Sequence, residues 1–395
     1  MTSLMQSLKA GPLANLRQSG IYIALAVIIV LFAVLTDGSL LTSQNVTNLV
    51  VQNSYVLILA IGMVMIIIAG HIDLSVGSVV ALTGAVAGVV AVRMELPWIL
   101  AILAAILVGA LVGAWQGFWV AFVGIPAFIV TLAGMLAFRG LAMIVLGNTQ
   151  ISPFPGPFRS IASGYLNGLL GGYGYDAFTL LLGGLCVAAF AWMQWSARRG
   201  RIAYEQTVEP MALFILKLVL VALLIMAFAW KLATYKGLPI VLIILAFLIV
   251  IYTVVTSRTP FGRSVYAIGG NLPAARLSGI KVKWVNFWLF VNMGVLSAIA
   301  GIVFTARLNL ANPKAGQNFE LDAIAACFIG GAAVSGGVGR VVGAIIGGLI
   351  MGIMNNGMSL MGIGIDYQQA IKGLVLLGAV AFDVWNKRRA GAVEA

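Results

Sequence analysis

The chain has 395 residues, of which 62% are hydrophobic and only 9% are charged. Soluble domains carry about a quarter of charged residues, so this composition excludes a water-soluble globular protein. The formal net charge is +12. The Lys and Arg residues lie in short runs between apolar stretches, which is typical of the positive-inside rule and not of a nucleic-acid-binding protein.

Helices are the expected elements because hydrocarbon does not tolerate an open backbone. A span needs roughly 20 apolar residues, and twelve segments qualify. They lie near residues 20–37, 48–70, 74–92, 98–122, 127–147, 177–196, 211–230, 238–256, 284–306, 322–336, 342–361 and 368–386. The tenth is short and Gly-rich, so ten or eleven spans with a re-entrant or broken element near 322–340 is the alternative. We predict an all-α integral membrane protein that forms one polytopic domain, residues 1–395.

The distribution of basic residues predicts the orientation. With the N-terminus in the cytoplasm, most Lys and Arg residues outside the predicted spans fall in cytoplasmic segments. Both termini are therefore expected in the cytoplasm, which requires an even number of spans. The two longest connections are an outer loop at 148–176 and a cytoplasmic loop at 257–283.

Several kinds of chemistry are missing from the sequence. It has no Gly-Lys dipeptide and so no P-loop for ATP, and its one histidine, His71, excludes a His-based metal cluster. No nucleophile stands in a pattern with a base, so we expect no catalytic residue and no metal or cofactor in this chain. The acidic residues fall mostly at predicted span ends, which counts against ion coupling. These are Asp73, Asp322, Asp366 and Asp383.

Two places within the apolar stretches carry polar residues. Between the second and third predicted spans, Asp73 and Ser75 can cap the following helix, and Gly77 permits close approach. This segment is either a tight cytoplasmic turn or a structural hinge beside a transport path. Arg139 lies mid-span and needs a partner or a wet cavity. It is expected either to anchor the structure through backbone carbonyls or a carboxylate, or to line a polar path.

The cytoplasmic loop contains a candidate helix. Pro273 is typical of a first helical turn, and Gly279 of the residue that ends a helix. Ala274, Ala275 and Leu277 would give this helix a small apolar face. Such a helix suits docking into the groove of a partner protein, and a helix that lies on lipid headgroups is the alternative.

Three stretches resemble one protein family when taken together. Residues 72–78 (IDLSVGS), residues 126–135 (PAFIVTLAGM) and the loop 262–279 resemble the permease subunits of bacterial ABC importers for monosaccharides, the ribose, arabinose, galactose and xylose group. An extra apolar pair between Gly200 and Tyr252, and the run 133–140, most resemble the D-xylose branch of that group.

The resemblance implies alternating access in the inner membrane, driven by ATP and Mg that a cytoplasmic ATPase subunit binds. It also implies a second permease copy and a periplasmic sugar-binding protein. By analogy, the ATPase contact would be Gly262, Arg263, Asn271, Ala274, Ala275, Ser278 and Gly279. A neutral sugar needs uncharged polar partners, so the path would use Gln52, Asn53, Asn292, Asn355 and Asn356, with helix–helix hydrogen bonding as the alternative for each. An ion-coupled secondary transporter is the main rival function.

Overall fold

The computed structural model describes the backbone of residues 16–391 and the side chains of residues 20–381. Helices form nearly all of this part of the chain. They are α1 (Leu16–Leu35), α2 (Ser43–Ile68), α3 (Val76–Gly88), α4 (Trp98–Phe118), α5 (Ala127–Leu146), α6 (Gly156–Ser163), α7 (Ala177–Ala203), α8 (Met211–Ala233), α9 (Ile240–Arg258), α10 (Pro260–Gly270), α11 (Leu272–Leu277), α12 (Val282–Leu308), α13 (Phe319–Ile329), α14 (Val341–Leu360) and α15 (Ile365–Gly391). Strands β1 (Tyr165–Leu166) and β2 (Leu238–Pro239) pair antiparallel.

Within the described residues, nine helices are long and apolar enough to cross a membrane. They are Ser43–Ile68, Val76–Arg93, Trp98–Val123, Ala127–Leu146, Ala177–Ala203, Met211–Ala233, Ile240–Arg258, Val282–Leu308 and Val341–Leu360. Two of them extend α3 and α4 by π-helical turns at 89–93 and 119–123. The prediction of an all-α membrane protein is therefore confirmed, whereas the count of twelve spans stays a prediction.

The tenth predicted span, residues 322–336, is not a continuous helix. Helix α13 has 11 residues and ends at Ile329, and residues 330–340 form turns around several glycines. Gly331, Gly336 and Gly337 have positive φ, which a helix does not permit. The element near 322–340 is thus broken, as the alternative prediction had it.

The centre of the molecule is built on α2 and α12. Helix α12 packs against α2, α3 and α4. Of the apolar 18-residue stretch of α2, 83% is buried inside the chain. The contact between α4 and α12 depends on Gly109 and Gly113. A Cβ added to Gly113 would lie 2.3 Å from the carbonyl oxygen of Phe290, so only glycine allows the two backbones to approach this closely.

A second glycine contact joins the C-terminal helices. A Cβ added to Gly347 of α14 would lie 2.0 Å from the carbonyl oxygen of Ala326 in α13. Gly348, one residue further, faces Leu57 of α2. The glycine spacing in this region therefore builds a tightly packed core between α2, α13 and α14.

Helices α7 and α8 form a peripheral hairpin. They pack mainly against each other. Only 11% of the apolar 18-residue stretch of α7 and 6% of that of α8 are buried inside the chain. Of the two apolar segments between Gly200 and Tyr252, only the first, α8, belongs to this hairpin, and the second is part of α9. The hairpin joins the rest through contacts of α8 with α2, including a hydrogen bond of 2.8 Å between the hydroxyls of Ser43 and Thr234.

We expect Gly113→Leu to disrupt the contact between α4 and α12, because the new side chain would overlap the backbone of Phe290. Overpacking of this kind costs about 1–3 kcal/mol or more. The thermal unfolding midpoint of the detergent-purified protein should fall by several degrees. Gly140→Leu is the matched control, since a Cβ at Gly140 meets no atom within 4 Å. An unchanged midpoint for Gly113→Leu would contradict the close contact.

Candidate functional site

Residues 69–75 connect α2 to α3 without helical structure. The carboxylate Oδ1 of Asp73 accepts hydrogen bonds from the backbone N–H and the hydroxyl of Ser75, at 2.8 and 2.7 Å. The side-chain amide of Gln116 in α4 donates to the same hydroxyl at 2.6 Å. Ser75 precedes α3 but its side chain does not cap the helix. The predicted capping is therefore replaced by an Asx-type turn around Asp73.

This connection enters the interior of the protein. Gly77, at the start of α3, lies against the backbone of Gly316 and the carboxylate of Glu320. The neighbouring Phe319 stacks on Tyr55 with ring centroids 4.6 Å apart. Tyr55 precedes the end of α2 by thirteen residues, which is about 20 Å along a helix axis. Helix α3 therefore begins inside the molecule, and we call the nonhelical connection 69–75 that leads into it the re-entrant segment.

Arg139 in α5 stabilises a second nonhelical segment, residues 309–318. Its guanidinium Nη1 donates to the carbonyl of Pro313 at 3.1 Å and also to the carbonyl of Ala315. This is the anchoring arrangement, through backbone carbonyls, that we expected for an arginine at this depth. The same segment presents Gly316 to Gly77, so Arg139 helps to position the re-entrant contact.

Acidic residues lie deeper than the sequence led us to expect. Asp73 is only 2% exposed and Glu320 only 9% exposed. Asp73 lies between the spans Ser43–Ile68 and Val76–Arg93, as predicted, but it is buried in the nonhelical segment that joins them. Glu320 was missed, since nothing in its sequence separates it from an acid in the first turn of a surface helix. Asp322, two residues on, pairs with Lys372 at 3.0 Å.

Most of the amides predicted to line a path have partners within the chain. Asn356 and Asn45 exchange two hydrogen bonds, of 2.8 and 3.0 Å, between their side chains. Asn53 donates to the carbonyl of Leu49 at 2.7 Å. Asn292 accepts from the hydroxyl of Tyr252.

Gln52 and Asn355 differ from these amides. The Oδ1 atom of Asn355 is buried without a hydrogen-bond partner, and the half-buried side chain of Gln52 has no hydrogen bond to a described residue. These two residues lie on α2 and α14, which pack together. Gln52 and Asn355 therefore keep hydrogen-bonding capacity for a solute, as does the Nδ2 atom of Asn292, which is also buried without a partner.

The loop 257–283 contains two helices, and the sequence predicted only the second. Thr259 caps α10 by accepting from the N–H of Gly262 at 3.2 Å, and Asn271 caps α11 by accepting from the N–H of Ala274 at 3.0 Å. Helix α11 ends at Leu277, two residues before Gly279, which has φ of +79°.

The residues predicted to contact a partner on this loop fall into two groups. Gly262 and Ala275 are buried inside the chain, so they lie beneath the exposed residues of the loop and do not form its surface. The exposed members are Arg263, Asn271, Ala274, Ser278 and Gly279. Beside them Leu277 is 91% exposed, the most exposed leucine of the described residues. Leu277 lies at the end of α11 as an exposed apolar side chain. The sequence places it on the apolar face of the helix but does not predict this exposure.

Helix α10 is hydrogen-bonded to the Gly-rich segment 330–340 and packs on the end of α2. The hydroxyl of Tyr266 donates to the carbonyl of Gly339 at 2.7 Å, and the N–H of Gly337 donates to the carbonyl of Ile68 at 2.8 Å. Gly269 packs directly on the backbone of Ile68. Burial raises the pKa of the Tyr266 hydroxyl above its ordinary value, so it stays a donor at neutral pH. A movement of α10 must therefore reach the end of α2 and the Gly-rich segment 330–340.

A cavity of about 870 Å³ lies between the α10–α11 loop, the start of α12, the turn between α4 and α5, and the start of the re-entrant segment. Its polar lining is provided by His71, Arg276, Lys283 and Asn286. No cluster of His, Cys, Asp or Glu among the described residues has the arrangement of a metal site.

The fold defines a polytopic helical membrane protein with broken helices in its core and a helical loop bonded to them. Residues 45–380 match the family described as the permease component of branched-chain amino acid transport systems. The chain belongs to this family, because the match covers most of its length.

Individual relatives match over nearly the whole chain. The xylose transport system permease protein of Haemophilus influenzae is 42% identical over 375 residues, which are 95% of this chain and 98% of the relative. Its counterpart in Escherichia coli K12 is 41% identical, over 95% and 93% of the two chains. The ribose import permease protein of Bacillus subtilis is 34% identical over 93% of each chain. No solved structure gives a significant match.

We expect Tyr266→Phe to weaken the connection between α10 and the segment 330–340. The carbonyl of Gly339 would lose its hydrogen bond, at a cost of about 1 kcal/mol. Solute transport by the complete system should fall several-fold, while the thermal unfolding midpoint of the permease changes little. Tyr367→Phe is the control, because Tyr367 is exposed. Unchanged solute transport by Tyr266→Phe would contradict a role of this hydrogen bond in connecting α10 to the segment 330–340.

Proposed function

We propose that this chain is the membrane-spanning permease subunit of an ABC-type importer that carries a monosaccharide, D-xylose, across the inner membrane. The support is the similarity to xylose permeases over nearly the entire length of both chains, at 41–42% identity. Ribose import permeases match at 34–35% identity. Ribose, for which they are named, is chemically similar to xylose. The protein is a transport subunit and not an enzyme.

The structural observation that carries the proposal is the α10–α11 loop. It presents the exposed Leu277 on one side and holds Tyr266 against the Gly-rich segment on the other. A partner ATPase that binds Leu277 and the exposed residues around it would move α10. That motion would reach α2 and the Gly-rich segment, so the pathway would open to one side at a time. ATP and Mg belong to the ATPase subunit.

The same proposal fixes the orientation and the other partners. The loop 257–283 and both termini face the cytoplasm, and the loop 148–176 faces outward, where a periplasmic sugar-binding protein delivers the solute. The broadly exposed apolar surface of the chain leaves room for a second permease copy as well as lipid. A homodimer with two ATPase subunits is the assembly we propose.

Within the permease, we assign the hinge to the re-entrant contact. Asp73, Ser75 and Gly77 meet Gly316 and Glu320 where two nonhelical segments end. Such breaks mark the places where transporter helices change direction around a solute. Gln52 and Asn355 are the proposed hydroxyl partners of the sugar, because their amides keep free hydrogen-bonding capacity.

Leu277→Asp tests the ATPase contact. A buried apolar anchor in an interface contributes about 2 kcal/mol, or roughly a thirtyfold change in affinity. In proteoliposomes that contain the permease, its ATPase and its binding protein, we expect xylose uptake and ATPase pull-down to fall at least about tenfold. Leu277→Met should behave like the unaltered protein. Undiminished pull-down with Leu277→Asp would refute this contact.

A secondary symporter is the second candidate, because Asp73 and Glu320 are buried acids of the kind that ion sites use. The two mechanisms differ in their energy source. We expect uptake of labelled xylose by the reconstituted importer to stop when ATP is omitted and to persist when a protonophore and a sodium ionophore collapse ion gradients. Uptake by the permease alone, driven by an imposed proton or sodium gradient, would reject the ATP-driven function in favour of the symporter.

A further inference from the structure

The cavity beside the α10–α11 loop has a composition that sugar transport does not explain. Its positively charged lining residues are Arg276 of α11 and Lys283 of α12, both exposed, and none of the residues that line it is acidic. Neither side chain has an ion pair or hydrogen bond to a described residue. A neutral sugar gains little from two unpaired cations, whereas an anion is attracted by both.

Uncharged hydrogen-bonding groups complete the site. Asn286 lines the cavity, is only 8% exposed and has a buried Oδ1 atom without a hydrogen-bond partner. The Nε2 atom of His71, whose side chain lies next to that of Asn286, is likewise buried and has no hydrogen bond of normal geometry. Buried polar atoms are nearly always hydrogen-bonded in folded proteins, so unpaired polar atoms in a cavity indicate a missing ligand. A turned Asn286 amide and a neutral His71 with its hydrogen on Nε2 are both donors, which suit an anionic oxygen.

We infer that this cavity binds a phosphate-bearing anion, with Arg276 and Lys283 as charge partners and Asn286 and His71 as hydrogen-bond donors. The volume of about 870 Å³ exceeds what inorganic phosphate alone requires. It suits a phosphate monoester of a small metabolite, such as a sugar phosphate, or the headgroup of an anionic phospholipid. Both sources present the same chemistry to the four side chains.

The position of the site gives it a consequence for movement. Arg276 is on α11, Lys283 is on α12, and His71 is in the re-entrant segment. An anion that contacts all three joins the α10–α11 loop to the rest of the chain. Because the loop must move for the pathway to change state, the bound anion would restrain it. A soluble anion of this kind would make import sensitive to phosphorylated metabolites in the cytoplasm.

The test measures binding to the purified full-length permease and does not require transport, so its outcome is independent of the proposed function. Calorimetric titration with ribose 5-phosphate examines the soluble source, and native mass spectrometry after incubation with phosphatidylglycerol examines the lipid source. The variant is the double substitution Arg276→Gln and Lys283→Gln. The control is Lys281→Gln, which removes an exposed charge of the same loop that does not line the cavity.

We expect the unaltered protein and Lys281→Gln to bind at least one of the two anions at least tenfold more tightly than the double variant does. Preferential binding of ribose 5-phosphate identifies a soluble ligand, and preferential retention of phosphatidylglycerol identifies a lipid. The inference is overturned if the double variant binds both anions as well as the unaltered protein, if the unaltered protein binds neither, or if unphosphorylated ribose binds as tightly as ribose 5-phosphate. Thermal unfolding of each variant verifies that the fold is retained.

Discussion

Backbone polar groups inside a membrane must find partners within the protein, and the core of this structure depends on how two nonhelical segments meet that requirement. The segment 69–75 uses the carboxylate of Asp73, which accepts from the peptide N–H of Ser75. The segment 309–318 uses the guanidinium of Arg139. Because these side chains occupy the peptide groups, α3 can begin deep in the molecule and Gly77 can lie against Gly316. Asp73 and the half-buried Arg139 are thus parts of one structural solution.

The fold could be predicted from the sequence to the extent that it depends on apolar length and spacing. The long helices, the glycine contacts of Gly109 and Gly113, and the short helix after Asn271 all follow from patterns that are local in the chain. The re-entrant course of residues 69–75 does not follow from such patterns. An aspartate between two apolar stretches looks the same at a membrane surface and in a buried Asx-type turn, and only the partners from α4 and α13 distinguish the two cases.

The candidate site was harder to predict, for the same reason. Asn356 looked like a path residue until Asn45, more than 300 positions earlier, proved to pair with it. Ala275 was expected at the ATPase contact by analogy with the family, but it is buried in the folded chain. Long-range pairing and burial decide whether a polar amide or a small apolar residue is available to a ligand. A single sequence contains no direct signal for either.

The α7–α8 hairpin stands outside the network that connects α10 to the broken segments. Its helices face mostly outward, and its link to α2 is a small contact near Ser43 and Thr234. The hydrogen bonds of the connection between the two helices, residues 204–210, stay within the hairpin. A fluorescent domain or an affinity tag inserted there would report on the assembled transporter without disturbing α10 or the nonhelical segments that it contacts.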